Sequence, residues 1–422
     1  MKIAIIGTGI AGNVAAYKLR EQHDITVFES AAYIGGHTNT VDVYEAGKKL
    51  AIDTGFIVFN DRTYPNFIEL LDEIGQTSKP SEMSFSVRGS NTEYGGTSLD
   101  ALFAQRRNLV SLRFYSMIRD ILRFNKEATR SDHAQDPGQT VGDYLANNRY
   151  GQVFIDQYLV PMAAAIWSAE PKRVLQMPIG FLVRFFSNHG LLQLQDRPTW
   201  RVISGGSREY VRKLVEGHRQ QVRLNSAVRS VSRTQNGVAI RSNNSEAEIF
   251  DAVFFACHSD QALRLISDPT HAEDEVLGAI KYQANEAILH TDENVMPRRH
   301  KAWAAWNYHI PSDPEQHVAV TYNMNILQGL RARNEYCVTL NSDSEIRSDR
   351  VIKRIRYEHP MYSREAVAAQ KRQKELNTDR FFFCGAYWRN GFHEDGVVSA
   401  LDAVRHFEEW QQNDELYLRR AS

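Results

Sequence analysis

The chain has 422 residues, 42% of them hydrophobic, and a formal net charge of −1. This length favours two or three domains, and the balanced charge gives no overall attraction to nucleic acid, so we expect no nucleic-acid partner. Three cysteines (Cys257, Cys337 and Cys384) lie far apart without metal-ligand spacing, so we expect reduced thiols and no metal site. No apolar run is long enough to span a membrane, and an apolar strand at residue 2 leaves no room for a signal peptide. We therefore expect a cytoplasmic protein.

The first thirty residues carry the pattern strand, glycine turn, helix, strand, acid. The parts are the apolar run Lys2 to Ile6, the glycines Gly7, Gly9 and Gly12, a helical pattern from Asn13 to Arg20, and the run Ile25 to Phe28 that ends on Glu29. In such a unit the glycines allow a tight turn, close approach to a pyrophosphate and close helix–strand packing, while the acid accepts ribose hydroxyls. The helix N-terminus offers free N–H groups to the phosphates. The segment predicts a dinucleotide site; the alternative is a glycine-rich turn without a ligand.

The next segment extends this unit. Gly35-Gly36 lies six residues past the acid and resembles the second glycine pair of flavoproteins. Val41 to Tyr44 and Leu50 to Phe59 predict a hairpin, which would bring Asp53 and Gly55 back toward the cofactor. A helix is expected from Pro65 to Ile74, ended by Gly75.

From about residue 76 the pattern changes. Short strands are predicted at Ser84 to Val87 and Thr92 to Tyr94, and an amphipathic helix from Phe114 to Arg130. The polar arc of this helix carries Arg119, Arg123, Lys126 and Arg130. A basic amphipathic helix can lie on an anionic membrane, so peripheral contact with the inner face of the membrane is one interpretation, and an ordinary solvated surface helix is the other.

Two apolar stretches follow, Val153 to Trp167 and Met177 to Phe186. Pro161 is expected to kink or end a helix in the first of them. The stretches could form the walls of an apolar chamber or plain hydrophobic core, and the sequence leaves both open.

The remaining chain has a nucleotide-binding pattern in two segments, which are separated by a segment of a different type. Trp200 to Leu214 reads as strand, Gly205-Gly206-Ser207 and helix, and Ala252 to Ala256 as a buried strand. Aromatic-rich alternation from about residue 281 to 370 predicts a second sheet. In the last stretch, Arg380 to His406, an apolar strand leads through an irregular loop to a helix expected to open at Gly396.

In this order, the motifs GTGIAG with Glu29, Gly35-Gly36, Gly205-Gly206, AVFFA and FFFCGAYWRNGFHEDGVVSA resemble the flavin-dependent superfamily of amine oxidases, phytoene-type desaturases and protoporphyrinogen oxidase. The fragments WAAWNYH, TYNMNILQGL and GFHEDG are most similar to bacterial FAD-binding proteins whose genes lie beside cyclopropane fatty acid synthase-type methyltransferases. The resemblance implies an α/β fold with a Rossmann-like FAD-binding domain and an inserted α+β substrate domain. The FAD domain would comprise residues 1–75, 200–280 and 372–412, the substrate domain residues 76–199 and 281–371, and the tail residues 413–422.

Carried over to this chain, the resemblance implies non-covalent FAD, with the glycine turn on the pyrophosphate, Glu29 on the adenosine ribose and Val228 on the adenine. The implied cofactor-binding set is Gly7, Gly9, Ile10, Ala11, Gly12, Glu29, Ser30, Gly35, Gly36, His37, Thr54, Gly55, Phe56, Val228, Gly385, Gly396, Val397 and Val398. The last four would cover the ribityl chain and the flavin C2 carbonyl.

One departure from the superfamily concerns a lysine that amine oxidases usually carry soon after the third FAD-domain strand. Here the stretch reads CHSDQALRL, with Arg264 as its nearest basic residue, which weakens the case for amine oxidation. Cys384 does not lie where a covalent flavin link would be expected.

The flavin supplies the redox chemistry in this class, and hydride transfer needs no conventional acid–base pair. His393 is the candidate catalytic residue, with Asp395 as a helix cap or a polar site residue. The expected substrate side comprises Trp306, Tyr322, Trp388 and Phe392, with Asn307, Tyr308 and Asn323 as further candidates.

The leading hypothesis is desaturation of a fatty acyl or methylated fatty acyl chain, with an apolar small molecule or lipid as substrate. The alternatives are oxidation of a small amine, a mutase-like non-redox flavoprotein, and a flavin-bearing partner of a lipid methyltransferase.

Overall fold

The computed structural model describes residues 1–130, 138–193, 195–243, 245–310, 319–342 and 346–421. Its strands are β1 (Lys2–Ile6), β2 (Asp24–Phe28), β3 (Thr40–Glu45), β4 (Lys48–Asp53), β5 (Phe59–Asn60), β6 (Ser78–Pro80), β7 (Phe85–Arg88), β8 (Glu93–Gly95), β9 (Trp200–Ile203), β10 (Val222–Arg223), β11 (Val228–Thr234), β12 (Gly237–Ser242), β13 (Glu248–Phe250), β14 (Ala252–Phe255), β15 (Tyr282–His290), β16 (Trp306–His309), β17 (Ala319–Asn323), β18 (Cys337–Leu340), β19 (Val351–Pro360) and β20 (Phe381–Phe383). Its α-helices are α1 (Ile10–Leu19), α2 (Pro65–Glu73), α3 (Leu99–Leu102), α4 (Leu112–Glu127), α5 (Val141–Asn147), α6 (Gln152–Phe154), α7 (Val160–Trp167), α8 (Pro171–Gln176), α9 (Ile179–Asn188), α10 (Arg208–Leu214), α11 (Ser259–Leu265), α12 (His271–Ala279), α13 (Met324–Leu327), α14 (Arg364–Ala369), α15 (Gln373–Leu376) and α16 (His393–Ala421).

The first sheet is parallel and has the strand order β10-β2-β1-β14-β20. Its central strands are apolar runs that are buried on both faces, as parallel sheets require. Helices α1 and α16 pack on one face, and the small sheet β11-β12-β13 and α12 cover the other. The fold is therefore a Rossmann-like layer in which the carboxyl ends of β1, β2 and β14 meet at one edge.

The second sheet has seven strands in the order β19-β15-β18-β17-β16-β7-β8, and its pairs are antiparallel except β16 with β7. The apolar sides of helices α4 to α9 pack together and against this sheet. This is the sheet that the aromatic alternation from residue 281 onward predicts.

The two sheets draw their strands from the segments that the sequence assigns to the two domains. The parallel sheet uses strands from 1–75, 200–280 and 372–412, and the seven-stranded sheet uses strands from 76–199 and 281–371. A third small sheet, β5-β9-β6, joins the two at their boundary. The expected tail from residue 413 is wrong in one respect, because α16 continues without a break to Ala421.

Three element boundaries differ from the sequence prediction. Helix α1 begins at Ile10 and not Asn13, since Gly9 is its N-cap. The strand expected to reach Phe59 ends at Asp53, because the chain leaves the hairpin there and the Phe56 N–H donates to the His37 carbonyl at 2.8 Å. Pro161 does not end its helix. It lies in the first turn of α7, directly after a π-helical stretch at Ile155–Leu159, where the hydrogen-bond pattern changes and the missing proline N–H is tolerated.

The amphipathic helix is α4, capped by the Ser111 hydroxyl, which accepts from the Phe114 N–H. Phe114, Met117 and Phe124 are buried as the periodicity predicts, whereas Leu122 is half-exposed. On the polar arc, Arg123 stacks over Tyr150 at 3.9 Å. Among the described residues, no helix is long and apolar enough to cross a membrane.

Candidate functional site

A cavity of about 580 Å³ runs from the carboxyl edge of the parallel sheet to the seven-stranded sheet. At one end lie the turn Gly7 to Ala11, the acid Glu29 and the strand start at Val228. At the other end lie side chains of the seven-stranded sheet, such as Trp306 and Tyr322, with Trp167 of α7. We call these the nucleotide end and the ring end. Ligands of open α/β sheets bind at this edge.

At the nucleotide end the glycine turn leaves no room for side chains on the protein side. Gly7 has a φ of +106°, and a Cβ there would lie 2.8 Å from the Ala256 carbonyl oxygen. A Cβ on Gly12 would lie 2.0 Å from the Gly7 oxygen. A Cβ on Gly9 would meet no protein atom within 4 Å. Gly9 therefore borders open space at the N-terminus of α1, where free N–H groups favour an anion.

Glu29 is buried and already oriented. Its Oε2 accepts from the Thr8 N–H at 3.0 Å and from the Thr8 hydroxyl, and its Oε1 accepts from the Ala31 N–H at 2.7 Å. The Ser30 hydroxyl also donates to Oε1, at 3.3 Å, so each oxygen accepts one backbone N–H and one hydroxyl. Ribose hydroxyls would replace the rotatable Thr8 and Ser30 hydroxyls without rotation of the Glu29 side chain. Thr8 itself was not singled out from the sequence, although its place between two turn glycines is visible there.

The second glycine pair packs beneath the first turn. Gly36 has a φ of +58°, and its Cβ would lie 3.1 Å from the Gly9 Cα. The next residue, His37, stacks on Tyr357 with ring centroids 4.7 Å apart, and its Nε2 is buried without a hydrogen-bond partner. Burial, and then His359 and two further histidines nearby, hold the pKa of His37 well below its ordinary value. His37 therefore lines the cavity as a neutral imidazole, and its Nε2 is buried and unpaired among the described residues.

His393, the candidate catalytic residue, lines the cavity but is engaged in a buried network. Its Nε2 lies 3.0 Å from the Thr38 hydroxyl and 2.9 Å from the Tyr210 hydroxyl, and its ring stacks on Phe56 at 3.4 Å. Burial lowers the pKa of His393 to about 3. These contacts fix the ring in place, and its catalytic role stays a prediction.

The two acids that follow His393 have structural partners. Glu394 accepts from the backbone N–H groups of Asn66 (3.1 Å) and Phe67 (2.9 Å), and thereby caps α2 from 328 and 327 residues away in sequence. Asp395 accepts from the Phe392 N–H at 2.9 Å, as a third-position acid does at a helix N-terminus. Burial raises the pKa of Asp395 to about 7.

The ring end is aromatic. Trp306 and Tyr322 are directly opposite on β16 and β17, form a T-shaped pair with centroids 5.0 Å apart, and both line the cavity. Phe392 also lines it and stacks on Phe185 at 5.0 Å. Trp388 does not; it is buried in the core beside β20, and its neighbour Tyr387 faces the cavity. The expected aromatic wall therefore consists of Phe392 and Tyr387.

Several other predicted residues support the cavity from behind. Asn307, Tyr308 and Asn323 are buried but do not line it; Asn307, for example, accepts from the Ser86 hydroxyl at 2.7 Å. The last helix opens at His393, so Gly396 lies one turn inside it, and a Cβ there would lie 2.5 Å from Ile10. Gly396, Val397, Val398 and Gly12 pack helices together and do not line the cavity. The remaining members of the predicted cofactor set all line it: Gly7, Gly9, Ile10, Ala11, Glu29, Ser30, Gly35, Gly36, His37, Thr54, Gly55, Phe56, Val228 and Gly385.

Sequence reasoning missed the aromatic and imidazole side chains that strand β19 and its neighbours bring to the cavity. They are Tyr357, His359, His258, Tyr282, Trp167 and Tyr362. Asp53, expected near the cofactor, is instead fully buried behind it, where it accepts from the Ser207 N–H at 2.8 Å. Of the two expected chamber walls, only the end of α7 reaches the cavity, and Met177 to Phe186 is core.

The basic residue Arg264 lines the cavity from α11, a helix that packs on β11, the strand that begins at Val228. It pairs with Asp260 at 2.7 Å. Arg264 is thus tied to the nucleotide end and does not replace a lysine at the ring end. Cys384 is fully buried and does not line the cavity, in agreement with a cofactor that is not covalently linked through it.

Comparison with known proteins decides the family. The family described as "Flavin containing amine oxidoreductase" matches residues 10–345. The chain belongs to the flavin-containing amine oxidoreductase family. A protein of Mycobacterium tuberculosis assigned as the flavin-containing monoamine oxidase AofH is 26% identical over 257 residues. That match covers 58% of this chain and 54% of the relative, so the chain spans about half the length of the curated relatives it matches.

Solved structures of this fold come from proteins with different substrates. A protein from Exiguobacterium sp. 255-15 assigned as a protoporphyrinogen oxidase has a TM-score of 0.68 at 16% identity, covering 97% of this chain and 99% of that one. Cyclohexylamine oxidase from Brevibacterium oxydans has a TM-score of 0.66 at 14% identity, covering 97% and 99%. A fatty acid isomerase from P. acnes that produces CLA has a TM-score of 0.66 at 15% identity, covering 96% and 98%. At these identities the likeness establishes the fold.

The residues fit the cofactor of this amine oxidoreductase family, which is FAD. Because Gly9 has no Cβ, the glycine turn leaves space beside the N-terminus of α1 for a pyrophosphate. Glu29 holds its two carboxylate oxygens in a fixed orientation, and the His37 Nε2 is without a hydrogen-bond partner among the described residues. Bound there, FAD supplies a two-electron acceptor for a substrate at the ring end. The site is accordingly built to hold FAD.

Proposed function

We propose that this flavoprotein removes a hydride from an apolar substrate, a fatty acyl or methyl-branched acyl chain, and leaves a carbon–carbon double bond. The observation that carries the proposal is the lining of the ring end. Beyond the nucleotide-binding turn, the cavity is bounded by large apolar and aromatic side chains, among them Ile166, Trp167, Trp306, Leu340 and Phe392. Such a surface binds a hydrocarbon chain through burial of apolar area.

The charges of the lining support the same substrate class. Two carboxylates line the cavity among the described residues, Glu29 and Glu358. Glu29 belongs to the nucleotide end, and Glu358 lies 3.5 Å from the His258 ring. Neither offers a free anion to an ammonium group at the ring end, whereas an uncharged chain requires none.

Desaturation balances when one carbon of the chain loses a hydride to the cofactor and its neighbour loses a proton to a base. Among the other histidines of the cavity, His359 Nδ1 accepts from Asn285 at 2.9 Å, His393 Nε2 bonds two hydroxyls, and His258 Nδ1 lies 3.5 Å from the Glu358 carboxylate. His37 Nε2 has no hydrogen-bond partner among the described residues. We assign the proton-accepting role to His37 because it lines the cavity; burial lowers its pKa, so His37 is a weak base and its protonated form is disfavoured.

Oxidation of a small amine is the second candidate, since the family and the relative AofH carry that name. A lipid methyltransferase as partner is a third possibility that the closer sequence likeness supports, and it leaves the isolated protein inactive.

The deciding experiment is anaerobic reduction of the purified holoprotein. Its yellow flavin absorbance should bleach on addition of monounsaturated or methyl-branched fatty acids, and mass spectrometry should show a product lighter by two hydrogens. Bleaching by polyamines or cyclohexylamine with no response to lipid would replace the proposal by amine oxidation. No response to either, together with tight binding to a lipid methyltransferase, would assign a partner role.

A further inference from the structure

A second, smaller cavity of about 120 Å³ adjoins the first and is not used by the argument above. It lies between the end of α7 and helix α8 on one side and the starting residues of β15 on the other. Four residues line both cavities: Trp167, His359, Pro360 and Tyr362. A single layer of side chains therefore separates the second cavity from the space at the ring end.

The second cavity is lined by two cations and no anion among the described residues. Arg173 of α8 and Lys281 before β15 both line it, and neither forms an ion pair with a residue that the structure describes. Both residues are exposed, so they border the cavity from its solvent side. Two unpaired cations at one small cavity favour an anionic ligand.

A third polar group supports this reading. Gln283 also lines the second cavity, and its amide nitrogen is buried without a hydrogen-bond partner among the described residues. A buried N–H that lacks a partner costs free energy, which an acceptor oxygen of a ligand would recover. Arg173, Lys281 and Gln283 together offer hydrogen-bond donors, and no carboxylate of the described residues lines the second cavity.

We propose that this second cavity binds the anionic head, a carboxylate or a phosphate, of an amphiphilic substrate whose apolar chain reaches the ring end when the shared side chains of Trp167 and Tyr362 move apart. This rests on the proposed function, because the substrate there is an acyl chain. It adds that the substrate carries a negative charge at one end. The reacting carbons therefore lie at a fixed distance from the head and not at the chain terminus.

The test uses the full-length holoprotein and three probes of similar chain length: decanoate, decyl phosphate and decanol. Binding is followed by tryptophan fluorescence, since Trp167 lines both cavities, and by the visible spectrum of the flavin. Wild type should bind the two anions at least ~10-fold more tightly than decanol. The variant R173Q/K281Q should lose ~10- to 100-fold in affinity for the anions and change little toward decanol.

The matched control is K172Q/K371Q, which removes the same charge from exposed residues that do not line either cavity. It should bind all three probes as wild type does. Equal affinity of wild type for decanoate, decyl phosphate and decanol would overturn the head-binding site, as would an equal loss in both double variants. A preference for one anion distinguishes a free fatty acid from a phospholipid.

The outcomes separate the two proposals. If lipids bleach the flavin but acids and their methyl esters do so equally well, the acyl substrate stands and the head-binding site is wrong. If anions bind with the expected charge dependence but bleach nothing, the head-binding site stands and the desaturation is wrong.

A separate observation concerns the surface around the N-terminus of α4. Large apolar side chains stand in solvent there, with Leu99, Val110 and Leu112 exposed by 76%, 86% and 87%. Arginines surround them, so that the surface comprises Leu99, Arg106, Arg107, Leu109, Val110, Leu112, Arg113 and Tyr115. We call it the leucine–arginine patch. Contacts within it include the Tyr115 hydroxyl on the Leu109 carbonyl at 3.1 Å.

We infer that the leucine–arginine patch rests on an anionic lipid bilayer. Exposed apolar side chains gain free energy by insertion at the acyl boundary of the bilayer. Arg113 can meet lipid phosphates directly, whereas Arg106 pairs with Asp100 and Arg107 donates to the Asn91 carbonyl, so these two would have to exchange partners. The basic arc predicted on α4 lies next to this patch and extends the positive surface, with Arg119 exposed. An acyl substrate would be drawn from such a surface.

Sedimentation of the holoprotein with phosphatidylcholine vesicles, with and without phosphatidylglycerol, tests the patch. Wild type should bind the anionic vesicles, less at high salt, and V110D/L112D should lose at least ~5-fold in binding. The control I249D/I352D changes two other exposed apolar side chains and should bind normally. Equal binding of both variants would overturn the proposal, as would a wild-type dimer that V110D/L112D converts to a monomer.

Discussion

The two ends of the cavity are built from different materials. The nucleotide end consists of backbone: glycines that leave space, N–H groups at the start of α1, and one acid held by the Thr8 and Ala31 N–H groups. The ring end consists of side chains from segments far apart in sequence, such as Trp167, Trp306, Tyr357 and Phe392.

This difference explains what each end can vary. The backbone at the nucleotide end recognises a phosphate or ribose, which is the same in every FAD enzyme. Adding even one methyl group to a glycine there takes up the space that the cofactor needs. A side-chain wall can be exchanged residue by residue without disturbing the sheets behind it. The solved relatives of this fold, a cyclohexylamine oxidase and a fatty acid isomerase among them, accordingly differ in substrate.

The largest expected effect comes from a comparison of two glycines of the turn: Gly12, which packs against protein atoms, and Gly9, which borders the cofactor space. Gly12→Val should prevent folding, because a Cβ there would lie 2.0 Å from the Gly7 oxygen and the backbone has to move; we expect a loss above ~3 kcal/mol. Gly9→Ala should leave the apo-protein as stable as wild type, since its Cβ meets no protein atom within 4 Å, but should weaken FAD binding. Thermal unfolding and FAD titration check the pair. Equal unfolding temperatures for Gly12→Val and wild type would contradict the packing role.

The next effect concerns the acid of the nucleotide end. Glu29→Gln removes one charged acceptor and should weaken FAD binding ~10- to 100-fold, the value of one or two charged hydrogen bonds. The visible spectrum of the reconstituted holoprotein should be unchanged, because the substitution lies away from the ring end. Asp42→Asn is a control, as Asp42 pairs with Arg208 and does not line the cavity. A spectral change in Glu29→Gln would mean that the two ends are not separable.

A substitution at the ring end should weaken substrate binding and leave FAD binding nearly unchanged. Trp306→Ala should weaken binding of an acyl substrate ~10-fold by removing apolar surface, and should leave FAD affinity within ~3-fold of wild type. Anaerobic flavin reduction as a function of lipid concentration gives the first quantity, and fluorescence titration of the apo-protein with FAD gives the second. Trp388→Phe, in the core beside the cavity, should change neither. Loss of FAD in Trp306→Ala would show that the aromatic wall also holds the cofactor.

The last effect, which is absent at neutral pH, is a pH dependence of stability. Burial lowers the pKa of His393 to about 3, so the folded protein keeps this ring neutral while the unfolded chain protonates it below its ordinary pKa of 6.5. Its contribution to stability is therefore full above pH 6.5 and is lost as the pH falls toward 3, by up to ~1.4 kcal/mol per pH unit. Urea unfolding of the apo-protein from pH 7 to pH 4 should show a steeper loss for wild type than for His393→Gln. Parallel curves would mean that folded His393 accepts a proton.

Much of the nucleotide end could be predicted from the sequence because its determinants are local. The turn, the helix after it, the acid Glu29 and the second glycine pair lie within thirty-six residues, and the structure places them at one edge of the parallel sheet. The strands of both sheets fall in the segments that the sequence assigns to the two domains.

The ring end could not be predicted in the same way, because long-range packing decides which side chains face it. Tyr357 and His359 reach the cavity since β19 pairs along the whole length of β15. The irregular loop after Gly385 turns Tyr387 toward the cavity and Trp388 into the core, and no periodicity in such a loop indicates which one faces inward. The earlier start of α16 has a local signal in Asp395, three residues after Phe392, and the expected role of Asp395 as a helix cap is confirmed.

The capping of α2 by Glu394 has a consequence for how the protein is made. The first turn of α16 holds two elements near the beginning of the polypeptide, through Glu394 on Asn66 and through His393 on Thr38. The ribosome therefore has to release the first turn of α16 before the pocket can close, and nascent polypeptide that ends before His393 should not retain the vitamin-derived cofactor.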